Sequence, residues 1–274
     1  MANQELAIKQ YIERPAITGG LEKLLGKKAQ AFKSNLINIV SSNYMLQDCD
    51  PRSIVGAAVC AAVNNLSLTP SLGQAYIVPF KKQAQFQVGW RGFVQLAHRT
   101  GQYATIHAGK VYDGELRGFN PFTGEPERGE KVSDEVVGYI AFFRLTNGFE
   151  KYFYMVKPEL EEHALKYSQS YAYDKRNGKK SSPWSTNFDA MACKTVLKQL
   201  LSKWGILSTE MATAIQADQS VVDKNTFTYV DNGGNSQTRD TIYAEDFIDL
   251  EVNVQPDTEE ASEVKEAEQI DSQH

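Results

Sequence analysis

The sequence predicts an α+β fold in which antiparallel β-hairpins pack with helices, after a helical N-terminal segment and before an acidic C-terminal tail. Apolar residues recur at helical spacing early in the chain, and from residue 75 short alternating runs are joined by turn residues. These strands come in adjacent pairs and do not alternate with helices, which favours antiparallel pairing. A chain of 274 residues with 42 % hydrophobic and 23 % charged residues can build one substantial core.

The N-terminal segment, residues 1–50, is predicted to be helical over about residues 5–47, because its large apolar residues repeat every three or four positions. Asp50 and Pro51 then follow the pattern of an N-cap and a first helical turn. The helix that they open, SIVGAAVCAAVNNLSL, is rich in small residues that let another element approach its axis, so we expect it to be buried. The N-terminal segment and the helix that follows Asp50 are both candidate surfaces for subunit packing.

Two hairpins and a further strand are predicted in the middle of the chain. The candidate strands are QAYIVPF, QFQVGW, YATIHAGKVY, VVGYIAFFRL and EKYFYMV. The first two flank KKQA as a hairpin. The last two are joined by Thr146-Asn147-Gly148 and give the strongest hairpin signal, because Asn-Gly is typical of a type I′ turn.

Helices are predicted again after the second hairpin. Lys157-Pro158 opens one that runs to about Tyr167, a longer one covers about residues 186–204, and TEMATAIQA forms a short last one. Between the first two lies SQSYAYDKRNGKKSSPW, which we interpret as a basic hairpin finger, with a flexible exposed loop as the alternative. These elements complete an expected core at residues 51–217.

Charge is divided very unevenly along the chain. Residues 218–274 hold fifteen acidic and three basic residues, whereas residues 1–217 hold 26 basic and 19 acidic ones, a net charge of +7. The tail has too little apolar surface to fold, so we expect it to be disordered or to bind a protein partner, with solubility alone as the alternative. A basic body beside an acidic tail indicates a polyanion partner such as nucleic acid.

The first candidate DNA-contacting motif is Gly89-Trp90-Arg91-Gly92, at the junction of a strand and a helix. A helix N-terminus exposes unpaired N–H groups, and glycines let a phosphate approach them. Arg91 would add charge, and Trp90 would add a flat surface on which a base could stack. The alternative is a tight turn whose Trp90 packs in the core, because G-x-x-G alone is a weak signal.

The second candidate is the helix DAMACKTVLKQLLSKW. Lys194 and Lys198 lie four residues apart beside its apolar stripe, where two cations could follow consecutive phosphates. The alternative is the solvated face of an ordinary amphipathic helix. The adjoining basic finger adds lysines, an arginine and tyrosines, which suit sequence-independent binding through counterion release and base stacking.

The sequence gives little support for an enzymatic activity. The sequence has neither a phosphate-binding P-loop nor a dinucleotide-binding fingerprint, so energy-driven strand exchange is not expected. The four histidines lack metal-ligand spacing. Some carboxylates loosely suggest a nuclease, but we interpret them as turn and surface salt-bridge residues. They are Asp113, Glu115, Asp134 and Glu150.

The cellular setting also follows from the composition. Three cysteines without a pairing pattern predict free thiols in a reducing compartment. No apolar run approaches the roughly 18 to 20 residues of a membrane span, and the N-terminus lacks the layout of a signal peptide. We therefore expect a cytoplasmic protein without membrane contact.

Several ordered motifs carry a family resemblance over about residues 20–215. They are AAVNNLSLTPSLGQAYIVPF, QFQVGWRGFVQLAHRTGQ, VYDGELRGF and WSTNFDAMACKTVLKQLLSKWGILS. In these the chain resembles the RecT family of phage and prophage single-strand annealing proteins, which are related to the lambda beta annealing protein. The resemblance implies an ATP-independent recombinase that coats single-stranded DNA left by a partner exonuclease and pairs it with a complementary strand. It also implies a homo-oligomer, either a ring or a helical filament.

The sequence therefore predicts a non-enzymatic protein that binds single-stranded DNA and the annealed duplex, with a host single-strand-binding protein as a further partner. It must hold phosphates and leave base edges free. No cofactor is expected, apart from an influence of Mg²⁺ on DNA binding. The alternatives are a single-strand-binding protein that does not anneal and a metal-dependent nuclease. The predicted DNA-contacting residues are Lys81, Lys82, Trp90, Arg91, Arg99, Lys110, Arg117, Tyr173, Lys175, Arg176, Lys179, Lys180, Lys194 and Lys198.

Overall fold

The computed structural model describes residues 2–223, 226–228 and 238–240. Helices and antiparallel strands share one apolar core, so the predicted α+β class is confirmed. The helices are α1 (Ala2–Glu13), α2 (Pro15–Leu25), α3 (Ala29–Ser41), α4 (Tyr44–Gln47), α5 (Pro51–Val63), α6 (Trp90–Arg99), α7 (Lys157–Tyr167), α8 (Gln169–Asn177), α9 (Pro183–Thr186), α10 (Phe188–Trp204) and α11 (Thr209–Ala217). The strands are β1 (Ala75–Phe80), β2 (Gln83–Val88), β3 (Tyr103–Tyr112), β4 (Leu116–Phe119), β5 (Pro126–Arg128), β6 (Val136–Leu145), β7 (Glu150–Val156), β8 (Val221–Asp223), β9 (Thr226–Thr228) and β10 (Thr238–Asp240). Within these residues, no helix has both the length and the apolar character to cross a bilayer.

The N-terminal segment is helical, as predicted, but it is divided into four helices. Pro15 starts α2, since its ring does not fit a helix interior. Gly26, at φ +53°, ends α2, and the Asn43 side chain caps α4. The buried apolar side chains of α1, α2 and α3 belong to the same core as those of the strands. A role of this segment in oligomerisation stays a prediction.

Helix α5 lies within the core, as its small residues predicted. Asp50 caps it by accepting a hydrogen bond from the Arg52 N–H at 3.2 Å. Eight of its 13 residues are buried, and the helix packs against β2 and β8. The Ser53 hydroxyl accepts a hydrogen bond from the Ala84 N–H at 2.8 Å, which ties the helix to β2.

The described strands form four small antiparallel sheets. The predicted β1–β2 hairpin turns at Lys81-Lys82, with Lys81 at φ +55°. The main sheet has the strand order β3–β6–β7, and α10 packs across it. β4 and β5 form a short hairpin that the sequence patterns did not predict.

The β6–β7 hairpin is confirmed, but its turn differs from the expected type I′. Three residues separate Leu145 from Phe149, and the Leu145 N–H donates to the Phe149 carbonyl at 2.8 Å. Gly148 has φ +88°, whereas Asn147 is not in the positive-φ region. A type I′ turn needs positive φ at both central residues, so this three-residue loop, which ends with a left-handed glycine, is not a type I′ turn.

The core continues past residue 217, where the acidic tail was expected to begin. Asp218 and Ser220 are buried. The Phe86 N–H donates to the Ser220 carbonyl at 3.0 Å, and the Phe86 carbonyl accepts from the Gln219 N–H at 2.8 Å. The first residues after α11 are therefore held against β2. The disorder predicted for the rest of the tail concerns residues that lie largely outside the described ones.

Two glycines let the loop before β1 lie directly on the start of α6. A Cβ atom on Gly89 would come within 2.1 Å of the Gly73 carbonyl oxygen, and one on Gly92 within 2.2 Å of the Gln74 carbonyl oxygen. The Gly89 N–H also donates to the Gln74 carbonyl at 2.8 Å. Both glycines of the G-x-x-G motif thus serve the close approach of two backbone segments.

We expect Gly92→Ala to lower the free energy of unfolding by about 1–3 kcal/mol, because the added methyl group overlaps backbone atoms that cannot rotate away. Urea unfolding followed by circular dichroism measures this change. Gly19→Ala in α2 is the matched control, since nothing beyond the neighbouring backbone of its own helix lies within 4 Å of the added Cβ. There the higher helix propensity of alanine should stabilise by up to about 1 kcal/mol. Equal effects of the two substitutions would contradict the packing role of Gly92.

Candidate nucleic-acid interface

A groove of about 450 Å³ lies between α7, α8, α9, the start of α10 and β6. We call it the basic groove. Its cations come from the first residue of α7, from the end of α8 and from the turn that follows α8, and aromatic rings form its inner wall. The lining lysines are Lys157, Lys175, Lys179 and Lys180, and the lining aromatic residues are Tyr139, Tyr171, Trp184 and Phe188.

Helix α8 and the turn after it carry the cations that were assigned to a hairpin finger. The chain forms no hairpin here: the helix runs to Asn177, and Gly178 ends it at φ +62°. The hairpin prediction is wrong because Asn-Gly also terminates helices, through a left-handed glycine at the C-cap. Lys175 and Arg176 lie in the last turn of α8, where cations are favourable beside the helix carbonyls.

Buried Asp174 fixes the turn that follows α8. Its carboxylate accepts hydrogen bonds from the N–H groups of Ser181 (2.9 Å) and Ser182 (2.7 Å) and from the hydroxyls of Ser181 (2.7 Å) and Ser185 (2.7 Å). Burial acts to raise the pKa of Asp174, but these hydrogen bonds outweigh burial and hold the pKa well below its ordinary value. The two exposed lysines of this turn therefore extend from a fixed backbone.

Trp184 forms the floor of the basic groove. It is buried, with its ring centroid 5.3 Å from Phe188 and 6.2 Å from Tyr171. Tyr173 is exposed at the edge of α8, and Lys179 Nζ donates to its hydroxyl at 3.2 Å and lies 5.2 Å from its ring centroid. An exposed ring beside a lysine suits stacking on a base while the lysine holds a neighbouring phosphate.

Asp189 brings negative charge to the edge of the basic groove. It accepts a hydrogen bond from the Tyr139 hydroxyl and forms an ion pair with Lys110. Burial acts to raise the pKa of Asp189, but the hydrogen bonds from Lys110 and Tyr139 hold it below its ordinary value. Lys110, which was predicted to contact DNA, thus has its charge balanced within the chain. The positive charge of the groove depends on the lysines of α7, of α8 and of the turn that follows α8.

Helix α10 holds Lys194 and Lys198 in a geometry that the sequence did not predict. Lys194 is only 6 % exposed. Its Nζ lies 2.9 Å from Asp218 Oδ1, and Lys198 Nζ lies 2.7 Å from Asp218 Oδ2. The Val88 N–H also donates to Asp218 Oδ1, at 2.9 Å. We call this group the Asp218 cluster.

The two lysines of α10 are therefore not a pair of solvent-facing cations, because the chain after α11 places a carboxylate between them. Burial acts to raise the pKa of Asp218, but the charges of Lys194 and Lys198 outweigh burial and lower it. Lys198 remains partly exposed, whereas Lys194 is enclosed. A DNA contact by either lysine stays a prediction.

A second cavity, of about 350 Å³, adjoins the basic groove at Trp184. Lys198 and His163 are among its lining residues. His163 Nδ1 is buried without a hydrogen-bond partner. Burial, followed by the charges of Lys198 and Lys166, lowers the pKa of His163, so its ring is neutral at pH 7. The cavity is thus lined by the Asp218 cluster, in which the lysine charges are paired with a carboxylate.

The residues predicted at the glycine corner, Trp90 and Arg91, lie on the surface. Both are exposed, and Arg91 Cζ lies 5.5 Å from the Trp90 ring centroid. Arg91 also donates to the Ser71 carbonyl at 3.3 Å. The alternative in which Trp90 packs in the core is therefore wrong, although neither residue lines the basic groove.

The other predicted residues lie elsewhere on the body. Arg99 donates to the carbonyl oxygens of Asn64 and Asn65 and so holds the end of α5. Lys81 and Lys82 are exposed at the β1–β2 turn, and Arg117 is exposed on β4. From the predicted set, the lining of the basic groove contains Lys175, Lys179 and Lys180. Arg176 and Tyr173 belong to the same helix end.

Lys157 is a groove residue that sequence reasoning missed. The pair Lys157-Pro158 served only to mark the start of α7. Its position beside α8 results from the packing of α7 against α8, and no short-range sequence pattern reports that packing. The unpaired N–H groups of the first turn of α7 add a positive partial charge near this lysine.

The carboxylates that loosely suggested a nuclease serve turns and ion pairs, as interpreted. The contacts are Glu115 with the Tyr112 N–H, Asp113 with the Ser133 hydroxyl, Asp134 with Lys131, and Glu150 with Arg144. In the part of the chain that the structure describes, no three His, Cys, Asp or Glu residues come together in a way that could hold a metal ion. The three cysteines are free thiols, as predicted.

A groove with lysines around aromatic rings suits the binding of a polyanion without recognition of its base sequence. The sequence model of the RecT family matches residues 30–230. The chain belongs to the RecT family, whose members are single-strand annealing proteins of DNA recombination.

Two relatives cover most of the chain. "Uncharacterized protein YqaK" of Bacillus subtilis (strain 168) is 42 % identical over 214 residues, which are 77 % of this chain and 72 % of that protein. "Protein RecT" of Escherichia coli (strain K12) is 30 % identical over 224 residues, which are 76 % of this chain and 79 % of that protein.

We expect Asp218→Ala to destabilise the protein by about 3–5 kcal/mol, because it leaves buried Lys194 without a counter-charge. Urea unfolding at pH 7 measures the loss. The lowered pKa of Asp218 adds a pH dependence: its contribution is complete above the ordinary value of 3.8 and is lost as the pH falls through the lower folded value. The loss of stability on acidification should therefore be smaller in the variant.

Asp134→Ala is the control. Asp134 pairs with Lys131 at the surface, so its removal should change the free energy of unfolding little. Replacing the whole cluster by Lys194→Met, Lys198→Met and Asp218→Leu should recover much of the stability, because an apolar set of similar volume needs no counter-charge. An Asp218→Ala protein as stable as the original would rule out a structural role of the cluster.

Proposed function

We propose that this protein pairs complementary DNA strands without nucleotide hydrolysis and holds single-stranded DNA by its phosphates along the basic groove. Membership of the RecT family supports the annealing activity. The observation that carries the DNA-binding part is the set of four lysines around the aromatic floor of one groove. Lysines bind phosphates through counterion release, which is independent of base sequence.

The two ends of the basic groove differ in what the backbone contributes. The N-terminal end of α7 presents the positive end of a helix dipole beside Lys157, which favours a phosphate. The C-terminal end of α8 presents helix carbonyls, which by themselves repel a phosphate. The cluster of cations there, Lys175, Arg176, Lys179 and Lys180, therefore has to overcome the helix end as well as attract DNA.

Annealing requires that the bases stay available to a second strand. Phosphate contacts from lysines leave the base edges free, and an exposed ring such as Tyr173 stacks on any base without selecting it. Watson–Crick pairing then supplies the specificity. A matched duplex is retained because pairing and stacking add to many weak phosphate contacts.

Annealing over a long strand requires several protomers along the DNA. We propose a homo-oligomer, a ring or a helical filament, in which basic grooves of neighbouring copies follow one strand. A partner exonuclease would supply the single strand, and a host single-strand-binding protein would hand it over. Mg²⁺ would act on the DNA and its counterions.

We expect Lys179→Glu with Lys180→Glu to weaken binding of an oligothymidine roughly tenfold at moderate salt and to flatten its salt dependence. The slope of log K against log salt should fall by about 0.7 for each phosphate that the variant no longer neutralises. Both lysines are exposed on a turn fixed by Asp174, so the fold should persist, which circular dichroism checks. Fluorescence anisotropy at several salt concentrations measures the affinity.

Two controls separate the contributions to binding. Lys27→Glu with Lys28→Glu makes the same charge change at an exposed position in the N-terminal segment and should leave the salt slope unchanged. Tyr173→Ala should lower the affinity at an unchanged slope, because stacking releases no counterions. If the groove variant and the N-terminal variant lose affinity equally, the groove is not the DNA site.

We expect the purified protein to accelerate pairing of two complementary oligonucleotides, one carrying a fluorophore and the other a quencher, without added nucleotide. The rate enhancement should be lost in the Lys179→Glu, Lys180→Glu variant and kept in the N-terminal control. Coating without faster pairing would instead identify a single-strand-binding protein, and shortened strands would identify a nuclease.

A further inference from the structure

An exposed apolar patch lies at the end of the main sheet, where α10 ends beside the β6–β7 turn. Its members are unusually exposed for large apolar side chains: Phe149 43 %, Trp204 50 %, Ile206 39 % and Leu207 41 %. We call these four residues the Trp204 patch. Exposed apolar groups gathered in this way are typical of a docking surface, whereas isolated ones are not.

Contacts beneath the surface bring the two halves of the Trp204 patch together. The Tyr103 hydroxyl donates to the Ile206 carbonyl at 3.0 Å, and the Tyr103 ring meets Phe143 edge-on at 5.4 Å. Phe143 in turn lies 6.0 Å from Phe149. The residues after α10 and the residue before β7 are thus fixed to the same pair of buried rings.

Two lysines flank the Trp204 patch. Lys151 Nζ lies 4.5 Å from the Trp204 ring centroid, and Lys203 Nζ lies 5.1 Å from the Phe153 ring centroid. Each lysine thus lies over an aromatic ring at the border of the patch. A segment that fits this surface should combine large apolar side chains with carboxylates.

The chain itself contains such a segment outside the described residues. Residues 244–252, AEDFIDLEV, combine apolar Phe247, Ile248 and Leu250 with four carboxylates. No Lys or Arg occurs between Arg239 and Lys265, so the negative charge of this segment is not offset locally. Its composition complements that of the patch in both respects.

The length of chain between the core and this segment permits docking. Leu250 lies ten positions after Asp240, and an extended chain of that length spans about 34 Å. The radius of gyration expected for a body of this size is about 17 Å. The segment can therefore extend over a large part of the body or to a neighbouring copy.

We propose that residues 244–252 of this chain dock on the Trp204 patch, with their apolar side chains against Trp204 and Leu207 and their carboxylates toward Lys151 and Lys203. Docking would cover the exposed apolar surface and fix the acidic tail at one point. It uses none of the lysines of the basic groove, so it does not rest on the proposed DNA contacts.

The test places a photo-activated benzoylphenylalanine at position 250 of the full-length protein and maps its crosslinks by mass spectrometry. We expect crosslinks to residues 203–207 and 149–151. Mixing isotope-labelled and unlabelled protein shows whether the segment docks within its own chain or on a neighbouring copy, and either result supports the proposal. Crosslinks confined to the tail or to other parts of the body would overturn it.

Charge exchange provides a second readout. Lys203→Glu should reduce the crosslink yield at the patch severalfold, and adding Glu251→Lys to the same chain should restore it. Lys166→Glu is the matched control, since Lys166 is an exposed lysine that also lies over a tyrosine ring but on α7. A yield that is unchanged in the Lys203→Glu protein, or that falls equally in the control, would show that the segment does not dock there. If a single-strand-binding protein is added and residue 250 then crosslinks only to that protein, the proposed docking on the Trp204 patch would likewise be contradicted.

Discussion

The fold depends on how two lysines of one helix are neutralised inside the core. Lys194 and Lys198 point from α10 toward a carboxylate that arrives only after α11, and the same carboxylate accepts the Val88 N–H at the end of β2. Three elements that are distant in the sequence are thereby fixed at one point. Lys194 is enclosed, so its charge is tolerable only with Asp218 in place. The position of α10 therefore determines the positions of Trp184, the basic groove and the Trp204 patch.

Interaction surfaces with different character are built around α10. Near its start, lysines surround buried aromatic rings, and the charge is held by a turn whose backbone is fixed through Asp174. Near its end, apolar side chains are exposed and lysines lie only at the border. The basic groove suits a flexible polyanion, whose binding depends more on opposite charge than on a complementary shape. The Trp204 patch suits a short segment with apolar side chains, whose binding depends on both opposite charge and complementary shape.

Sequence reasoning was most successful where a signal is local. The Asp50-Pro51 start of α5, the strand pairs and the last short helix depend on caps, alternation and helical spacing, and all are present. It failed where one signal has two structural uses. Asn177-Gly178 ends a helix where a hairpin was predicted. Asn147-Gly148 does join a hairpin, but through a three-residue loop where a type I′ turn was predicted.

The candidate site was less predictable, because charge in the sequence does not report whether a side chain is already paired. Lys194 and Lys110 look like free cations until the structure places Asp218 and Asp189 beside them. Conversely, Lys157 lines the groove because α7 packs on α8. No sequence motif indicates that packing. Gly89 and Gly92 are needed for contact with the Gly73-Gln74 backbone. Phosphate binding also needs glycines at such a corner, so the pattern G-x-x-G alone does not distinguish the two uses.

The Asp218 cluster has a consequence for synthesis on the ribosome. The hydrogen bond between Val88 and Asp218 spans 130 positions. Asp218 also follows Lys194 by 24 positions, so a nascent chain contains both lysines of α10 before their counter-ion is made. Such long-range contacts slow folding.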